Sequence, residues 1–85
     1  MKVVLACSCS GQKKKAEEAF SILFPGEPMP KIILGKDNMM KFANEMNNDH
    51  LKAIAKLKGR FAYYVEIENN NIIAEWNLST GRRVG

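Results

Sequence analysis

Eighty-five residues leave room for one domain with a thin core, because a chain of this size buries only about 60–65% of the surface its unfolded form exposes. Hydrophobic content of 46% and charged content of 26% exclude a disordered tail, and no stretch approaches the roughly 20 apolar residues of a membrane-spanning helix. The net charge of +4 permits weak attraction to polyanions, but the cations are spread along the chain.

Lys2 to Cys7 is a continuous apolar run without alternation, which predicts an interior strand covered on both faces. Met1-Lys2 before so short a run supplies no signal-peptide core, so the expectation is a cytoplasmic protein with both thiols reduced. Ser10 is the predicted cap of a helix in which Ala16, Ala19, Phe20 and Leu23 recur at helical spacing, and Pro25-Gly26 ends it. Pro28 and Pro30 hold the next connection extended, and Lys31-Ile32-Ile33-Leu34-Gly35 reads as a second strand, parallel to the first. Asp37 or Asn38 then caps a second helix carrying Met39, Met40, Phe42, Ala43 and Met46, with the methionines as adaptable core filler.

Residues 51–58 admit two readings. As a helix they present Leu51, Ile54 and Leu57 as a stripe, with Asp49 as cap and Gly59 as terminator; as a strand, Leu51, Ala53, Ala55 and Leu57 alternate with their neighbours. Arg60 to Glu68 and Ile72 to Leu78, rich in β-branched and aromatic residues, form a hairpin around Asn69-Asn70-Asn71, whose asparagines tolerate left-handed backbone. Ser79-Thr80-Gly81 leads to a polar end, so 79–85 is expected to be a flexible tail. The predicted class is therefore a single α/β (α+β) domain, a two-layer sandwich of order β-α-β-α-(β or α)-β-β with a C-terminal antiparallel hairpin.

Both cysteines stand where the first strand meets the first helix. Backbone N–H groups at a helix start, the helix dipole and nearby lysines favour an anion, so Cys9 is the candidate reactive thiol, with Ser10, Gly11, Lys13 and Lys14 as anion or partner contacts. Cys7 reads as a small buried hydrophobe that points to the same strand face as Cys9 and is able to resolve its oxidised form, although a disulfide across one intervening residue is strained. His50 reads as a helix-end residue, and Asp, Glu and His show no paired arrangement suited to acid/base catalysis. Two cysteines and one histidine are too few for a closed zinc site, and no cofactor is implied.

Strand, cysteine, helix, the turn Pro25-Gly26-Glu27, then Ile32-Ile33-Leu34 with Asp37, a helix and paired strands resembles the TusA/SirA-like sulfur-carrier family over about residues 1–68. The family's Cys-Pro-x-Pro motif is here Cys9-Ser10-Gly11-Gln12, without either proline. The resemblance implies a two-layer α/β fold and a role in which Cys9 accepts sulfur as a persulfide from a donor protein and passes it to an acceptor, a carrier rather than a stand-alone enzyme. The alternative is a binding module without chemistry, offering Lys52, Lys56, Lys58 and Arg60 to nucleic acid or docking a protein through its hairpin edge. Two short helices before a hairpin follow the order of a winged helix. Each basic cluster also reads as a solvated face.

Overall fold

The computed structural model describes residues 1–84; Gly85, the last position of the expected tail, lies outside the described residues. The elements are β1 (Lys2–Ala6), α1 (Gln12–Leu23), β2 (Lys31–Leu34), α2 (Lys36–Met46), α3 (Asp49–Ala55), β3 (Ala62–Glu68), β4 (Asn71–Asn77) and β5 (Arg82–Val84). The expected α+β class is what the chain adopts: helices packed on one mixed sheet of order β2-β1-β3-β4-β5, with β1 and β2 parallel and every other pairing antiparallel.

β1 is apolar throughout because it is covered on both faces. Val3, Leu5 and Cys7 join the core cluster that holds Met39, Phe42 and Ala43 of α2 and Leu51, Ile54 and Ala55 of α3. Val4 and Ala6 join the opposite cluster, with Ala16 and Phe20 of α1. That second cluster carries an aromatic group: the Phe24 ring contacts those of Phe20, Tyr64 and Trp76, and Phe20 also contacts Tyr64, at centroid distances of 5.0–5.2 Å.

The ambiguity at 51–58 resolves as helix. Leu51, Ile54 and Ala55 all enter one core, a spacing that only a helical turn can direct to a single side. Asn48 rather than Asp49 is its cap, accepting the Leu51 N–H on Oδ1 at 3.0 Å, and the helix gives way at Lys56, ahead of Gly59. The other two helix starts also differ from expectation. Gly11 occupies the cap position of α1 at φ 76°, and Gly35 that of α2 at φ 88°, neither with a side-chain cap. Ser10 therefore caps nothing; Asp37 sits in the first turn of α2, and Asn38 donates back to the Leu34 carbonyl at 2.8 Å.

The hairpin of β3 and β4 turns at Asn69 and Asn70, both in the left-handed region at φ 54° and 62°. Beyond Leu78 the chain does not simply trail away. Asn77 Oδ1 accepts the N–H groups of Ser79 and Thr80, and Gly81, at φ 73°, donates to the Asn77 carbonyl at 2.8 Å. This turn returns Arg82–Val84 along β4 as β5, with Arg83 opposite Trp76 and its guanidinium 6.0 Å from the indole centroid.

Candidate functional site

The end of β1 runs directly into the loop that precedes β3: the Cys7 N–H donates to the Phe61 carbonyl at 3.2 Å. That contact brings Arg60 and Phe61 beside the two cysteines, which are both free thiols; Cys7 is buried and Cys9 half-buried. Both pack against the cluster under α2 and α3. The turn back into α1 is closed by the Gln12 N–H donating to the Cys9 carbonyl at 3.0 Å.

The two thiols are close neighbours and differ in acidity. Burial pushes the Cys7 thiol up, but hydrogen bonds from the Cys9 thiol and from the amides of Cys9 and Phe61, with the charge of Arg60, outweigh it and leave Cys7 below the ordinary thiol value of 9.0. Cys9 is held above that value, chiefly by its hydrogen bond to Cys7, then by burial and by the Cys7 charge, with Arg60 acting the other way. The first negative charge of the pair therefore belongs to Cys7 and the remaining proton to Cys9. The more acidic thiol is thus Cys7 and not Cys9, the candidate expected from the helix start.

The predicted anion contacts are only partly assembled. Ser10 and Gly11 lie exposed in the turn, and Lys13 and Lys14 are exposed on the first turn of α1. Lys15, one position on, lines a cleft with Gln12 and Arg60. Arg60 was assigned from sequence to a basic face with Lys52, Lys56 and Lys58. In the fold it acts on the thiols and lines a cleft on the α1 side of the sheet, whereas α3 packs on the other side. Lys52 is half-buried, 3.8 Å from Asp49, and Lys56 and Lys58 are exposed where α3 ends.

One pair was missed altogether. His50 Nε2 lies 2.8 Å from Glu75 Oε1, joining the start of α3 to β4. Twenty-five positions separate the two residues, and no local pattern connects them. Among the described residues no group of three His, Cys, Asp or Glu side chains gathers as a metal site would require, and no helix is long and apolar enough to cross a membrane. No family model, no curated protein and no solved structure matches the chain.

Proposed function

We propose that the chain is a thiol-based sulfur carrier in which Cys9 receives a sulfane sulfur from a donor protein and Cys7 manages the proton. The observation that carries this reading is the proximity of two free thiols, the more acidic Cys7 buried and the less acidic Cys9 half-buried. Nucleophilicity of a thiolate falls with its pKa, so a pair in which Cys7 is the more acidic member leaves the stronger nucleophile at the more accessible Cys9. The Cys7 thiolate takes the Cys9 proton as Cys9 attacks the outer sulfur of the donor persulfide. The new S–S bond makes Cys9–S–SH, the donor's S–S bond breaks, and the departing donor thiolate takes back the proton from Cys7. Sulfur changes hands with no net oxidation or reduction. An acceptor thiolate reverses the sequence at the same outer sulfur, so both partners are proteins or small thiols. A reducing, cytoplasmic setting suits the role because both thiols must stay free.

The nucleic-acid reading has less support. α3 is seven residues long, and Arg60 lines a cleft on the side of the sheet away from it.

The test is incubation of the purified chain with a cysteine desulfurase and cysteine, followed by intact mass measurement. The expected result is a gain of one sulfur that dithiothreitol removes, absent in Cys9→Ser and slower in Cys7→Ser. No gain in the unaltered chain, or a gain that survives Cys9→Ser, overturns the proposal.

A further inference from the structure

The α1 side of the sheet holds a cleft of about 310 Å³ with both polar and apolar walls. Gln12, Lys15, Arg60 and Ser79 surround it, and Ala62 and Leu78 form its apolar floor. Gln12 is 6% exposed, yet its side-chain amide makes no hydrogen bond to any described residue. No side-chain nitrogen or oxygen among the described residues is sealed without a partner, so the Gln12 amide keeps its opening, and the cleft is the opening it lines. Left to itself the amide is paired by solvent in the cleft, and a ligand that reproduces those hydrogen bonds can take the solvent's place. Lys15 and Arg60 add two cations that form no ion pair among the described residues, and no acidic side chain lines the cleft.

We propose that this cleft binds a small organic anion, its oxyanion end held by Arg60, Lys15 and the Gln12 amide and its short apolar body against Ala62 and Leu78. A guanidinium and a carboxamide present parallel N–H donors, which match the oxygens of a carboxylate or a phosphate. The volume lies at the low end of small-molecule sites, which limits the ligand to a few heavy atoms beyond its charged group. The site is on the other side of the sheet from Cys7, and it shares with the thiol loop Arg60 and the backbone of Gln12, whose N–H donates to the Cys9 carbonyl.

The experiment is titration of the ¹⁵N-labelled full chain with sodium phosphate, sodium butyrate and, at matched ionic strength, sodium chloride, followed by heteronuclear NMR. The Gln12 side-chain amide and the Arg60 Nε–H are expected to shift saturably with phosphate or butyrate and not with chloride; the tighter of the two identifies a phosphate ester or a carboxylate as the natural ligand. Arg60→Gln, at an exposed position that leaves the fold intact, should weaken that binding about tenfold, as loss of a charge-assisted hydrogen bond does. Binding should persist in Cys9→Ser, so failure of this site and failure of sulfur carriage are read separately. Shifts that rise linearly and equally with all three salts, or saturable binding that is undiminished in Arg60→Gln, overturn the proposal.

Discussion

Glu75 Oε1 and His50 Nε2 meet at 2.8 Å from very different surroundings: the glutamate side chain is 7% exposed and the histidine 56%. Glu75 stands opposite Val65 in the sheet and is a buried carboxyl with one side-chain partner. The bond fastens the start of α3 to β4. Removing the histidine leaves the carboxyl buried without that partner, so His50→Ala should lower unfolding stability by about 1–3 kcal/mol. Replacing both ends removes the unpaired group, and the double variant His50→Ala, Glu75→Leu should recover part of the loss. Urea denaturation of the two variants measures this; a neutral His50→Ala would mean that the contact contributes nothing to the fold.

The unequal thiols give the fold a pH signature. Cys7 is more acidic folded than unfolded, so its contribution is present above the ordinary thiol value of 9.0 and is lost as pH falls through its lowered value. Cys9 is less acidic folded than unfolded, so its contribution is present below 9.0 and is lost as pH rises through its raised value. Together they make stability, relative to a Cys7→Ser, Cys9→Ser double variant, pass through a maximum near pH 9. Thiolate absorbance in the ultraviolet should rise in two separated steps in the folded chain and in one broad step in urea. A single folded step centred at the ordinary value contradicts the pairing.

Gly35 links β2 to α2 at φ 88° and ψ 153°, a conformation essentially confined to glycine, while its N–H donates to the Ala6 carbonyl at 3.0 Å. A Cβ built there lies 3.5 Å from the Ser8 Cβ, an ordinary contact, so the cost of Gly35→Ala is in the backbone rather than in crowding. That cost should be about 1–3 kcal/mol in urea denaturation. Gly11 provides the control. At φ 76° and ψ −4° it is in the left-handed region that asparagine also visits, with nothing within 4 Å of a new Cβ, so Gly11→Asn should cost less than about 1 kcal/mol.

These positions also show what the chain discloses locally and what it does not. Val3–Ala6 announces an interior strand because four apolar residues in a row have no solvent face to offer, and Asn69-Asn70 announces a hairpin because both must turn left-handed. The helix starts were misplaced where glycine backbone replaced the expected side-chain cap, at Gly11 and Gly35. β5 escaped notice because Arg82-Arg83-Val84 is short, exposed and without apolar alternation; its placement comes from the Asn77 side chain and Gly81. The cysteines are visible as candidates, but their unequal acidity comes chiefly from each other and is increased by the Phe61 amide at Cys7, which only the tertiary contact there brings near. The His50–Glu75 pair is tertiary in the same sense.

The start of α3 separates two caps that the sequence makes nearly equivalent. Asn48 Oδ1 accepts the Leu51 N–H at 3.0 Å, and its Nδ2 donates to the Asn70 carbonyl at 3.1 Å, so one side chain closes the helix and ties it to the hairpin turn. Asp49 makes neither contact; its carboxylate is fully exposed, 3.8 Å from Lys52. Loss of an N-cap costs about 1 kcal/mol, whereas an exposed ion pair of this kind contributes between zero and about 1 kcal/mol. Asn48→Ala should therefore destabilise the chain by about 1 kcal/mol or more, and Asp49→Ala by clearly less. Urea midpoints with unchanged slopes test the order directly. If Asp49→Ala proves the more costly, the helix begins one residue later than this geometry has it, and the link from Asn48 to Asn70 contributes nothing to holding α3 on the sheet.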